Sequence, residues 1–187
     1  MGLLAWFKGT GVPESRRARD WRSACMTAAG QADDDRLDAL RIELESWRAG
    51  EEDIEVEREM LESGRDLVEL TKLVRQSGLP VVETGHRVVG TDVCHFTAPS
   101  SMPDEAGQPG GRLLLTSNRA IFVGGARSTA IPWHAIGRAL HAERDVVLIR
   151  TDREQLYRFR CNSFSDAFRG AFLGRELLAA RRARTGL

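Results

Sequence analysis

Gly111-Arg112-Leu113-Leu114-Leu115-Thr116-Ser117-Asn118-Arg119-Ala120-Ile121-Phe122 is the stretch that decides the fold of this 187-residue chain. Two runs of strand-forming residues, Arg112 to Thr116 and Ala120 to Val123, flank a polar turn at Asn118-Arg119, as in neighbouring antiparallel strands. Downstream, Gly124-Gly125 offers another tight turn, and short alternating runs follow at Ser128 to Ile131, Ile136 to His141, Val146 to Thr151 and Gln155 to Arg160. Upstream, Val82 to Thr97 reads as a strand, and Ala98 to Gly111, rich in Pro, Ser and Gly, as one long loop. The last element, Ser163 to about Arg184, is a predicted helix. Phe164, Phe168, Phe172, Leu173 and Leu177 fall along one side of it, and Ser163 or Ser165 is placed to cap its start.

The pattern changes on the other side of Ser77-Gly78-Leu79-Pro80, a helix stop with a proline just beyond it. Asp33, Asp34 and Asp35 suit the positive end of a helix dipole, and Leu37, Leu40, Leu44 and Trp47 follow at steps of three and four. Gly50 interrupts that stripe. A second helix is expected from about Glu51 to Gln76, with Ile54, Met60, Leu61, Leu67, Val68, Leu70 and Val74 on one broad face. The break suggests an antiparallel hairpin or a kinked rod, whose stripes must pack on each other, on the C-terminal module or on a second copy. Pro13 to Ala29 also carries a helix-like start. The expected organisation is a basic N-terminal segment over 1–32, an acidic helical hairpin over 33–78 and a β-rich module over 82–184. The fold class is α+β.

Within that module the quoted stretch resembles the GRAM branch of the pleckstrin-homology-like superfold: a glycine, an apolar strand, a threonine, a turn, an arginine and a strand ending in phenylalanine. Ile131-Pro132-Trp133-His134-Ala135-Ile136 is similar to the family's isoleucine-proline step. Val146-Val147-Leu148-Ile149, Tyr157-Arg158-Phe159 and Phe164-Ser165-Asp166-Ala167-Phe168 complete the order. The resemblance covers residues 82 to 180 and implies a seven-stranded barrel or sandwich capped by the C-terminal helix. It further implies binding of phosphoinositides, other anionic lipids or proteins, and no catalysis. Lipid-binding members carry basic side chains in the loop between the first two strands. Here Ala98 to Gly111 holds Asp104 and Glu105 and no Lys or Arg, so the resemblance argues against a phosphoinositide pocket there.

Composition is that of an ordinary globular protein, 42% hydrophobic and 29% charged, with a formal net charge of zero. That balance hides an uneven distribution. Residues 1–30 carry five basic and two acidic side chains, 31–80 seven and fifteen, and 81–187 fifteen and ten. Separate surfaces of opposite sign follow, able to neutralise one another within the molecule or between copies. Arginine far exceeds lysine, of which Lys8 and Lys72 are the only two, a usage that fits a GC-rich bacterial genome. Cys25, Cys94 and Cys161 match no disulfide framework or zinc ribbon, so a reducing cytosol is expected. No run is long enough to span a bilayer, and Trp6 occupies the position where a myristoylation signal needs Ser or Thr.

The candidates for chemistry are weak. Cys94-His95 places a thiol beside an imidazole, but neighbouring strand residues point to opposite faces. A zinc site from His86, Cys94, His134 and Cys161 would draw on distant strands with no close ligand pair. Asp33-Asp34-Asp35 and Glu51-Glu52-Asp53 lack a calcium-loop glycine, and Gly124-Gly125 lacks the Lys-Ser or Lys-Thr of a phosphate loop. No cofactor and no metal are expected. Two arginine clusters remain, Arg16-Arg17-Ala18-Arg19 and Arg181-Arg182-Ala183-Arg184. The second suits a solvated helix end; the first follows Leu3, Leu4, Trp6 and Phe7 and so reads as an apolar anchor with cations behind it.

The expected function is a non-enzymatic adaptor whose module binds a protein partner while the helical region docks or forms a homodimer, including by coiled coil. The alternative is peripheral binding to anionic membrane lipid through Trp6, Phe7, Arg16, Arg17 and Arg19. The neutral total charge argues against nucleic acid. A cytoplasmic location, or the inner face of the membrane, goes with these readings.

Overall fold

A computed structural model of the chain describes residues 16–47, 54–125, 127–152 and 156–185. Three helices open it: α1 (Arg16–Gln31), α2 (Asp34–Glu45) and α3 (Glu55–Ser77). Asp33 caps α2 by accepting the backbone N–H of Arg36 at 2.9 Å, and Asp34 and Asp35 fill the first turn, as the acid-rich start predicts. The stripe of Leu37, Leu40 and Leu44 is buried. On α3 the predicted Met60, Leu61, Leu67, Val68 and Leu70 are buried too, and the helix stops at Gly78, which takes φ +82°. The expected break at Gly50 lies outside the described residues.

Helix α1 packs across both of its successors. Its Trp21 indole N–H donates to the Leu40 carbonyl at 3.1 Å, its Arg22 pairs with the buried Glu57 of α3, and its Cys25 has no solvent contact. Lys72 of α3 reaches Asp34 of α2 at 2.8 Å, and Arg65 reaches Asp38. Some of the acidic side chains of residues 31–80 are thus paired within the helical layer, while the net surplus of that segment stays.

Seven strands follow: β1 (Cys94–Ser101), β2 (Gly110–Thr116), β3 (Arg119–Gly124), β4 (Arg127–Pro132), β5 (Ile136–Ala142), β6 (Asp145–Arg150) and β7 (Leu156–Cys161). They form one antiparallel sheet in the order β4-β3-β2-β1-β7-β6-β5. Two hairpin-linked runs, β1 to β4 and β5 to β7, are joined where Ser100 and Ser101 of β1 face Cys161 and Arg160 of β7. A short 3-10 turn, Trp133–Ala135, carries the chain from β4 to β5, its Trp133 indole donating to the Thr116 carbonyl at 2.8 Å. The last helix, α4 (Phe164–Thr185), lies on the sheet. It comes so close that a Cβ added at Gly170 would sit 2.8 Å from the Val146 methyl and 3.1 Å from the Phe96 ring. The α+β class and the terminal helix agree with the sequence.

The helical layer rests on the other side of α4. Glu59 of α3 accepts the backbone N–H of Phe164 at 3.0 Å and pairs with Arg144, while Ser165 donates to Asp66 at 3.0 Å. One apolar core runs without interruption from Ala18 to Leu178.

Two boundaries need correction. The expected strand Val82 to Thr97 begins only at Cys94; residues 79–93 form an extended strap with a 3-10 turn at Arg87–Val89, closed by Gly90 at φ +64°. That positive φ and the turn beside it cannot continue a ladder. The expected loop Ala98 to Gly111 is shorter, because β1 runs through Pro99 to Ser101 and β2 starts at Gly110. Proline is tolerated because β7 joins β1 only from Ser100 onward.

Candidate partner-binding faces

The strap is built onto the outside of β2 and β3. Val89, Cys94, Leu114 and Ile121 make a second, small apolar cluster there, with Val82 against it. Asp92 is its polar anchor. It accepts the Thr116 hydroxyl at 3.1 Å, the Asn118 amide at 2.7 Å and the Arg119 guanidinium at 3.1 Å. The Val82 N–H donates to the Cys94 carbonyl at 2.8 Å, and a His95 ring nitrogen lies 2.7 Å from the Pro80 carbonyl oxygen. The threonine, asparagine and arginine of the hairpin turn thus hold the strap, a role that nothing in the strand pattern announces.

What the strap leaves outward is apolar. Of the large hydrophobic side chains exposed among the described residues, Val81 (71%), Val88 and Val93 (43%) all belong to it. Val81 and Val93 line an open groove of about 410 Å³ whose wall also includes Thr84, His86, Arg87 and Gly90. Between Val81 and His86 exposure alternates residue by residue, as on a strand, and the peptide groups of Glu83 and Gly85 make no hydrogen bond among the described residues. The segment therefore presents a short strand edge, with valine side chains beside unused backbone donors and acceptors.

A second face lies on the side of β5, β6 and β7 that is turned away from α4. Inward residues are set by Ala139, against α4 at Gly174, and by His141, whose ring stacks on Phe168 at 4.8 Å. The alternate residues point out, and the register aligns them in rows: Arg138, Ile149 and Leu156; Leu140, Val147 and Arg158; Ala142, Asp145 and Arg160. An apolar row of Leu140, Ile149 and Leu156, with Val147 buried among them, is rimmed by three arginines. Arg158 and Arg160 share the buried Asp145, and Arg158 also binds Asp104 from the loop after β1 at 3.1 Å. Arg138 is exposed with no carboxylate partner among the described residues.

Trp6 and Phe7 lie outside the described residues. Arg16 is exposed and 3.6 Å from Asp20, Arg17 lays its guanidinium 4.5 Å above the Trp47 ring, and Arg19 is exposed on α1. Arg182 donates to the Gly137 carbonyl at 2.7 Å, which ties the end of α4 to β5. Cys94 is buried with its thiol on the Phe96 carbonyl, while His95 is turned to Pro80, so thiol and imidazole do not meet. Burial pushes the thiols of Cys25 and Cys161 up to about 12, which keeps both protonated at neutral pH. Among the described residues no three of His, Cys, Asp and Glu gather as metal ligands, and no helix is long and apolar enough to cross a membrane.

No protein-family model matches the chain, and no curated protein does. Among solved structures it is similar, at 11% identity and a TM-score of 0.42, to the C-terminal domain of an unknown protein from Leishmania infantum, over 49% of this chain and 89% of that one. At 12% identity it is similar to the DH/PH domains of PDZ-RhoGEF in complex with GTP-gamma-S activated RhoA, with a TM-score of 0.41 over 83% of this chain. The DH/PH domains of p115-RhoGEF match at 12% identity and a TM-score of 0.43 over 89% of it. The chain spans 54% and 60% of the length of these two.

Proposed function

We propose that this chain is a non-catalytic binding protein: a pleckstrin-homology-like, GRAM-like module, braced by its helical layer, that takes an extended apolar segment of a protein partner at the strap groove. The observation that carries the reading is the exposure of Val81 and Val93 on the wall of one groove, next to strap backbone with unused hydrogen-bonding groups. An extended peptide answers both features, its backbone pairing with the strap and its side chains covering the valines. Support for the module comes from the order of the elements, two antiparallel runs joined through β1 and β7 and closed by an aromatic-rich helix. Function in such a protein lies in its surface, so the strap carries the assignment.

The test is selection of displayed random peptides on the full chain, followed by affinity measurement on Val81→Asp and Val93→Asp. Apolar peptides that perturb the amide signals of residues 81–93 and bind the variants roughly tenfold more weakly are expected. Peptides indifferent to both substitutions would count against the groove. So would flotation with anionic vesicles that perturbs the same signals, since that would give the strap to lipid.

A further inference from the structure

The strap does not use the outer face of β5–β7, and that face has a counterpart elsewhere on the same chain. On α2, Leu37, Leu40 and Leu44 turn inward, which leaves Asp35, Ala39, Ile42 and Glu43 outward at helical spacing. Ile42 is 61% exposed. Asp38 and Glu45 on the same helix are bound to Arg65 and Arg41, but Asp35 and Glu43 have no cation among the described residues. One surface is therefore apolar with spare carboxylates. The β5–β7 face is apolar with a spare arginine at Arg138, and Leu156 stands 38% exposed in the same row.

We infer that the occupant of the β5–β7 face is the α2 stripe of a second copy of this chain, with Ile42 set against Ile149 and Leu156 and the free carboxylates turned to Arg138. Charge complementarity selects that occupant. The chain has no net charge, yet residues 31–80 carry eight more acidic than basic side chains and residues 81–187 five more basic than acidic. Copies consequently attract one another when unlike ends meet and repel when like ends do. The two surfaces belong to different layers, α2 to the helical layer and the other to the sheet side facing away from α4. The contact is head-to-tail, and a pair of copies retains one free surface of each kind.

Sedimentation and light scattering of the full chain over a range of concentrations, at low and at high salt, test this. Expected is a mass that rises above the 20.8 kDa of one chain with concentration and falls back as salt is added. Glu43→Arg and Arg138→Glu should each weaken association roughly tenfold. Mixing the two single variants should restore association, because unlike charges then meet at both contacts between unlike copies, and the double variant should recover association by itself. Both positions are exposed, and unchanged circular dichroism and urea midpoints would show that folding is untouched. A monomer at every concentration, an assembly that neither reversal weakens, or a double variant that does not recover would overturn the inference. So would a monomer that binds anionic vesicles through Arg138.

Discussion

Glu59 occupies an ordinary position on a helix rich in acids, yet it closes the fold. Its two oxygens serve separate partners, the first backbone N–H of α4 and the Arg144 guanidinium that also lies over the Phe164 ring at 5.0 Å. A helix start is normally capped from within its own turn, and Ser163 does that for Asp166 at 3.1 Å. Glu59 adds a cap from a distant helix. Glu59→Ala should lower the unfolding free energy by about 2 kcal/mol, and Glu59→Gln by about half of that, since an amide still accepts from Phe164 but cannot pair with Arg144. Urea denaturation of both variants checks the ratio.

His141 gives a second residue-level expectation. Burial, with a lesser contribution from Arg175, lowers its imidazole from the ordinary 6.5 to about 4, and its Nδ1 has no hydrogen-bond partner. The unfolded chain therefore binds a proton that the folded chain refuses between those values. Stability is full above pH 6.5 and falls as pH drops toward 4, by up to about 3 kcal/mol in total. In His141→Leu that part of the pH dependence should disappear from urea midpoints measured at pH 7, 5.5 and 4.5.

At the scale of elements, periodicity told helix from strand wherever the chain follows one rule for several residues. The strands from β2 to β7 and both flanking helices begin and end within a few residues of where alternation and capping put them. The strap departs from the expected strand because Val82 to Val93 is as rich in valine as a strand, while its course depends on Gly90 and on Asp92 reaching a turn more than twenty residues away. Asp92→Ala removes three hydrogen bonds to one carboxylate. It should cost about 2 kcal/mol and speed amide exchange at residues 81–93 before any other segment. Two glycines separate helix propensity from packing. Gly30, with nothing within 4 Å of an added Cβ, should gain about 0.5 kcal/mol as alanine. Gly170→Ala should lose about 1–3 kcal/mol despite the same propensity, because Val146 and Phe96 occupy the space. Thermal midpoints of the two variants should move in opposite directions.

Across the whole molecule, α4 is the shared wall of two layers, the sheet on one side and α3 on the other. Because a single core runs through both, the helical layer and the β module should unfold together. Chains retaining only Trp21, which reports the helical layer, or only Trp133, which reports the sheet, should show the same urea midpoint. Separate midpoints would mean that Glu59, Asp66 and the apolar contacts around them are too weak to couple the layers.

The sequence by itself determined the class, the order of the elements and the inward face of most of them. Those features depend on side chains a few residues apart, whose spacing is visible in one dimension. It also determined that Cys94 and His95 would part, since adjacent strand residues must. Only the tertiary structure decided which surfaces remained open. The valines of the strap, the outer rows of β5–β7 and the stripe of α2 look like core residues or solvated charge when read in order. Whether a side chain is covered depends on segments far away in the chain, as the pinning of the strap by Thr116, Asn118 and Arg119 shows. Burial is a property of three-dimensional neighbours, and so is the choice of where a partner can sit.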